Sequence, residues 1–365
     1  MHPKVLLDAS AELVRLALTF QHPADSVVSR FFRDQRKTHA FGPRERALLA
    51  ETLYNVLRYK LRYEHFAPSG SGPRERRLAI LGFATYLQDS AQSKPGDPLG
   101  FLKSALHKNE VAWLEACLEV REEDLLERHR HNLPEWLVEP LKAQLGEGFW
   151  PLAKALNQSG TLDLRVNALT GKRDDVRQEL ALAGIHATPT PYSPWGLRVQ
   201  GKPALTKLDA FARGAIEVQD EGSQLLALLL EARRGEMVVD FCAGAGGKTL
   251  ALGAMMRNTG RLYALDTSAH RLDALKPRLA RSKLSNVHPA AIAHERDERI
   301  KRLSGKIDRV LVDAPCSGLG TLRRNPDLKW RQSPQSVQEL TVKQTHILAS
   351  AARLLKPGGR LVYAT

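Results

Sequence analysis

The stretch MVVDFCAGAGGKTLALGAMM, residues 237–256, decides how this chain is read. An apolar run ending in Asp240 passes into a glycine-rich turn, and the turn passes into a second apolar run rich in small residues. That order predicts a strand, a tight loop and a helix. Glycines at 244, 246 and 247 let backbone amides come close to a ligand, and the helix that follows offers the positive end of its dipole. Two phosphate-binding signatures fail here. A P-loop needs glycine five residues before the Gly-Lys pair, where this chain has Cys242. The dinucleotide fingerprint G-x-G-x-x-G needs glycine at 249, where Thr249 stands.

Further along, RLYALD (261–266) reads as a second strand ending in an acid. Asp266 at such a tip can accept hydrogen bonds from both hydroxyls of a ribose. A third strand around VHPAAIA (287–293) leads to Asp297, which is read either as reaching an adenine amino group or as a solvated acid in HERDERIKR (294–302). Acids on strand tips and a glycine turn without either phosphate fingerprint point to a nucleoside cofactor lacking a pyrophosphate, and S-adenosylmethionine fits. A fourth strand, DRVLVDAPCSG (308–318), ends in Asp313, Pro315 and Cys316. Open α/β sheets bind their ligands at this carboxyl edge. A Pro-Pro-aromatic run at this place would suit an amino-group acceptor. A Pro-Cys pair suggests a carbon acceptor, because carbon 5 of cytosine becomes nucleophilic only after a thiolate adds to carbon 6.

These residues resemble the RsmB/Sun family of RNA cytosine-5 methyltransferases. The resemblance spans roughly residues 160–365. It rests on VQDEGSQL (218–225), DFCAGAGGKT (240–249), Asp266 followed by HRL, DRVLVDAPCSGLGTLRRNPD (308–327), a helix with Gln344, and KPGGRLVYAT (356–365). It implies that Cys242, Ala243, Gly244, Ala245, Gly246, Gly247 and Lys248 wrap the methionine and ribose parts of the cofactor, with Asp266 on the ribose and Asp297 near the adenine. It implies that Asp313, beside the cofactor, holds the edge of the cytosine ring, and that Cys316 helps release the methylated base. The family's attacking nucleophile is a second cysteine, in a Thr-Cys pair at the end of the next strand. Here LVYAT stops at Thr365. The expectation is therefore a fragment, inactive as given, whose next residue is that cysteine. The competing expectation is a noncatalytic RNA-binding protein that retains the cofactor fold.

Upstream, LDLRVNAL (162–169), DDVRQELALAG (174–184) and LRVQ (197–200) read as strand, helix and strand. They form a small α+β module over 158–217, similar to the family's RRM-like domain. From Lys4 to about Asn157 apolar residues recur at helical spacing, as Leu48, Leu49, Leu53, Val56 and Leu57 do. FGPRERALLAETLYNVLRYK (41–60) resembles the helical, NusB-like RNA-binding domain of some family members. The expected architecture is thus an all-helical NusB-like domain (1–157), the RRM-like module, and an α/β, Rossmann-like class I methyltransferase sheet (218–365), truncated at its carboxyl end.

Composition agrees with a nucleic-acid partner. Lysine and arginine number 54 against 40 acids, a formal charge of +14, which favours an anionic ligand. Ribosomal RNA is the preferred partner because the helical leader resembles that of the ribosomal members; transfer RNA is the second choice. In TLRRNPDLKWRQSP (321–334), Arg323, Arg324, Lys329 and Arg331 surround Trp330. A loop leaving the carboxyl edge of the sheet would hold RNA phosphates with those cations and stack a base on that ring; the alternative is a mobile surface loop whose Trp330 packs against the sheet. No apolar run is long enough to span a bilayer, so a cytoplasmic monomer without membrane contact is expected. The three cysteines, Cys117, Cys242 and Cys316, are too scattered for a zinc site or a disulfide framework, and no metal is expected.

Overall fold

The computed structural model describes residues 1–91, 97–201 and 203–365. They divide into two compact units, Met1–Gly160 together with Ser317–Ser336, and Thr161–Cys316 together with Val337–Thr365. Among the described residues no helix is long and apolar enough to cross a membrane.

The first unit is helical. Helices Pro3–Ala17, Pro43–Arg58 and Arg74–Ala91 enclose a core in which Leu7, Leu13, Leu49, Leu53, Leu57 and Ile80 are fully buried. The four-residue spacing of Leu49, Leu53 and Leu57 places them on one stripe of helix Pro43–Arg58, and each of these six residues contributes roughly 1.5–3 kcal/mol by leaving water. Helix Pro43–Arg58 starts where its sequence signals. Pro43 sits where no amide partner is needed, and the Glu45 carboxylate reaches back to accept the Gly42 amide. Gly82 allows close crossing, since a Cβ there would stand 2.6 Å from the Thr52 carbonyl oxygen. Segment 317–336 folds into this unit. Its Leu322 is buried with Leu133, Val138, Phe149 and Ala153, and its Asp327 accepts the Ala24 amide at 3.1 Å.

The second unit contains two sheets. Strands β1 (Leu162–Val166), β2 (Ala187–Pro189), β3 (Gly196–Val199) and β4 (Ile216–Val218) pair antiparallel in the order β2-β3-β1-β4. Helices Arg173–Leu182 and Asp209–Ala212 complete a βαββαβ ferredoxin-like pattern. Two of these strands were not expected. β2 and β4 are three residues each, too short for alternation to register.

Five further strands follow: β5 (Met237–Asp240), β6 (Arg261–Asp266), β7 (Val287–Ala291), β8 (Ile307–Asp313) and β9 (Leu355–Ala364). All pair parallel, in the order β7-β6-β5-β8-β9. This is the expected methyltransferase-type sheet. Val238, Val239, Val310, Leu311 and Val312 are fully buried, as central parallel strands covered on both faces must be. The chain runs outward from β5 to β7 and then crosses back to β8. The resulting switch of direction leaves a crevice at the carboxyl ends of β5 and β8.

Candidate active site

A cavity of about 830 Å³ opens at that crevice, walled by the turn after β5 and by the tips of β6 and β8. Asp240, at the end of β5, is 1% exposed. Its Oδ2 accepts the Thr249 hydroxyl at 2.7 Å, while Oδ1 has no partner among the described residues. Burial pushes its pKa up to about 6; the charges of Asp313 and Asp266 act the same way, against the Thr249 hydrogen bond and Lys248. Asp266 is held by two backbone amides, Gly244 at 2.8 Å and Ser268 at 2.7 Å, one on each oxygen. Each oxygen keeps lone-pair capacity for a ligand hydroxyl.

The two central glycines of the turn do different work. Gly244 has φ +55° with nothing within 4 Å of where a Cβ would be, so it shapes the backbone beside open space. Gly246, at φ +83°, would place a Cβ 2.1 Å from Leu275 Cδ1. It packs the turn against helix Ala269–Ser282 and does not line the cavity, contrary to the expectation that it approaches a ligand.

At the tip of β8 the Lys248 ammonium lies 2.5 Å from Asp313 Oδ2. The Cys316 thiol is exposed and Cys242 is half-buried, and both residues line the cavity. Burial, followed by the charges of Asp240, Asp266 and Asp313, raises the Cys242 thiol to about 12. It therefore stays protonated and serves as wall, not as nucleophile. The Gln344 amide donates to the Pro315 carbonyl and to Thr365 Oγ1, each at 2.9 Å. It ties the turn after β8 to the end of β9.

The cavity thus brings together Cys242, Ala243, Gly244, Ala245, Gly247, Lys248, Asp266, Asp313 and Cys316, with Gly246 behind them. Asp297 is not among them. Its carboxylate is used locally, accepting the Ala293 and Arg299 amides at 2.9 Å each, and Ile292 and Glu295 of the same loop line the wall instead.

The basic loop also differs from expectation. Lys329 is 2% exposed, and its ammonium donates to the Arg58 carbonyl at 2.8 Å and to Asn157 Oδ1 at 3.2 Å. Burial, then the nearby Arg58 charge, drives its pKa well below the lysine range. Trp330 donates to the Leu57 carbonyl at 2.7 Å, with Lys60 and Lys329 over its ring. Arg331 pairs with Asp327 at 3.4 Å, and Arg323 donates to the Ser159 carbonyl at 2.9 Å. Of the five, Arg324 is exposed. Apolar Leu322 and buried Asp327 draw the segment inward, so Lys329 and Trp330 act as anchors within the helical unit.

Gln219, Ser223, Arg271 and Lys343, which no sequence motif marks as site residues, also line the cavity. Gln219 lies in the quoted VQDEGSQL stretch, but nothing in its local pattern says which way its side chain turns.

A nucleoside carrying an α-amino acid fits these residues. The orphaned Asp240 Oδ1 calls for a donor such as an ammonium, and the amide-held Asp266 carboxylate suits paired hydroxyls. The Lys248 ammonium is already matched by Asp313.

Residues 227–365 match the 16S rRNA methyltransferase RsmB/F family, and residues 133–206 match the RsmF/B-like methyltransferase ferredoxin-like domain. Over 241 residues the chain is 38% identical to the probable ribosomal RNA small subunit methyltransferase B of Synechocystis sp., covering 65% of this chain and 53% of that protein. Over 352 residues it is 27% identical to the corresponding probable methyltransferase of Bacillus subtilis, covering 90% of this chain and 78% of that protein. The chain spans about half the length of several curated relatives that it matches. The crystal structure of PH0851 superposes with a TM-score of 0.76 at 26% identity, over 100% of this chain and 85% of that one. A methyltransferase homolog from Pyrococcus horikoshii superposes with a TM-score of 0.58 at 28% identity, over 65% and 74%. The ferredoxin-like domain at residues 133–206 and the methyltransferase domain at residues 227–365 are thus both those of RsmB/F-type methyltransferases, in that order and on a shared fold.

Proposed function

We propose that the protein methylates carbon 5 of a cytosine in ribosomal RNA, in the cytoplasm, with S-adenosylmethionine as its cofactor. The observation that carries this reading is that Asp313 and Cys316, on one strand tip, line the same cavity as Asp240 and Asp266. A base acceptor and a nucleoside cofactor can therefore meet in one site. The names of the curated relatives support ribosomal RNA as the substrate.

S-Adenosylmethionine, when bound, supplies an electrophilic methyl group. Asp240 would hold its ammonium and Asp266 its ribose. Lys248 holds Asp313 Oδ2, which leaves the other oxygen to accept the cytosine 4-amino group and fix the ring. A thiolate adds to carbon 6 and pushes electron density to carbon 5. The resemblance assigns that thiolate to the cysteine of a Thr-Cys pair whose threonine position is Thr365. Since Asp313 stands opposite Ala364 in the β8–β9 register, a thiol at that place and Cys316 would leave neighbouring strand tips. Once carbon 5 carries the methyl group, Cys316 takes its proton. The carbon 5–carbon 6 double bond re-forms and the attacking sulfur departs. A cytosine within a helix must first swing out of its stack, so loops and locally melted sites are the favoured substrates.

The test is methyl transfer from labelled S-adenosylmethionine to unmodified small-subunit ribosomal RNA by protein that carries the Thr-Cys cysteine, read as 5-methylcytidine after digestion. Asp313→Ala should cut product by about a hundredfold or more while RNA stays bound to the filter. An unchanged rate would sink the enzymatic reading in favour of RNA binding alone.

A further inference from the structure

We propose that Gln219 binds the carboxylate at the amino-acid end of the cofactor, and that Arg165 of the four-stranded sheet is the positioning residue that turns the Gln219 amide toward it. This rests on the cavity being an S-adenosylmethionine site.

Gln219 follows β4, is 7% exposed and lines the cavity. Its Oε1 accepts a hydrogen bond from Arg165 Nε at 2.6 Å. Its Nε2 is closed off from solvent and has no hydrogen-bond partner among the described residues. A buried amide donor left without an acceptor is destabilising. Turning the amide over offers no relief, because the NH2 group would then face the Arg165 N–H. A guanidinium has donors and no acceptor, so Arg165 fixes the NH2 on the side of the amide away from itself, near Gly247.

Arg165 is itself locked. It is fully buried in β1, directly across from Glu217 of β4. Burial lowers its pKa to about 10, against the pull of Glu217, so it remains charged at neutral pH. Glu217 in turn pairs with Arg278 at 2.9 Å and Arg281 at 2.5 Å, and Arg278 donates to the Ala245 carbonyl of the glycine turn. The four-stranded sheet thus reaches the cofactor turn at two points.

The identity of the missing acceptor follows from position. Gln219 Nε2 lies 3.6 Å from where a Cβ on Gly247 would be, and Gly247 opens the nine-residue helix Gly247–Met255. A helix start favours negative charge. The ribose hydroxyls are needed as donors to Asp266, on the far side of the turn. The cofactor's carboxylate is the anionic acceptor that remains, and the unpaired amide completes its cradle.

The experiment is calorimetric titration of the purified chain with S-adenosylhomocysteine and with 5′-methylthioadenosine. The two share the nucleoside and the sulfur, and only the first carries the amino-acid end. Gln219→Met keeps side-chain length and removes the donor. It should weaken S-adenosylhomocysteine about tenfold to a hundredfold, as expected for a hydrogen bond to a charged group, and leave 5′-methylthioadenosine unchanged. Arg165→Met frees the amide to turn and should give a smaller loss with the same selectivity. Should that core variant fail to fold, Gln219→Met alone decides. Equal loss of both ligands in Gln219→Met, or loss of neither, overturns the assignment and leaves the cofactor reading standing. Failure of the wild-type chain to bind either ligand overturns the cofactor reading and this assignment with it.

Discussion

Replacing Asp240 with asparagine should stabilise the ligand-free protein and weaken its hold on the cofactor, and both effects should grow as the pH rises. The carboxyl group is almost wholly enclosed, and burial above all moves its pKa from 3.8 to about 6. The folded protein therefore holds this proton more tightly than the unfolded chain does. The group's favourable contribution is complete below about pH 4 and is lost as the pH rises through about 6. That difference amounts to roughly 3 kcal/mol in all, of which about half is lost between pH 5 and pH 8. Asparagine does not titrate, and its amide can donate to the Thr249 hydroxyl that now donates to Asp240. In thermal melts the advantage of Asp240→Asn over wild type should grow by about 1–1.5 kcal/mol between pH 5 and pH 8, a shift of a few degrees for a unit of this size. Affinity for S-adenosylhomocysteine should move oppositely, rising with pH in the wild type and staying flat and about tenfold or more weaker in the variant. An advantage that does not grow with pH, or a variant less stable at both values, would refute the account of Asp240 as a buried acid awaiting a cation.

Gly246→Ala forces a methyl group into Leu275 at an unfavourable φ and should cost about 2–4 kcal/mol in urea unfolding. Gly244→Ala meets no neighbour and should cost only about 1 kcal/mol while reducing cofactor affinity; equal costs would contradict the division of roles in the turn. Lys329→Ala leaves the Arg58 carbonyl and Asn157 Oδ1 without their donor and should destabilise the protein by about 2–4 kcal/mol. Unchanged stability with weaker RNA binding would instead restore Lys329 as a phosphate contact. Gln344→Ala releases the link between the Pro315 carbonyl and Thr365. It should lower kcat about tenfold with little change in KM for the cofactor, since the reacting tips lose alignment while the binding residues stay in place. A change confined to KM would count against that role.

Much of the site was legible because it is built from contiguous residues. Asp240, the glycine turn and Lys248 form one strand-turn-helix passage, and Asp313 with Cys316 ends another strand. A parallel sheet delivers the carboxyl tips of its strands to one edge whatever the details of packing. The acids at 266 and 313 therefore reach the cavity as read. Asp297 did not, because an aspartate just ahead of a helix is readily taken up by the nearby backbone amides, and local sequence does not distinguish that use from ligand contact. β2 and β4 escaped notice because three-residue strands owe their existence to the neighbours they pair with.

The order of strands and helices in the parallel sheet, the family motifs and the acids at the strand tips were determined by sequence alone, because periodicity and turn chemistry act over a few residues. Only the tertiary structure decided that Lys329 and Trp330 anchor 317–336 in the helical unit, with partners some 270 positions away. Only the tertiary structure decided that Arg165 aims Gln219, 54 positions away. Burial and hydrogen-bond direction depend on which distant segments close over a side chain. A lysine in a basic run and a lysine sealed in a core therefore look the same until the chain has folded.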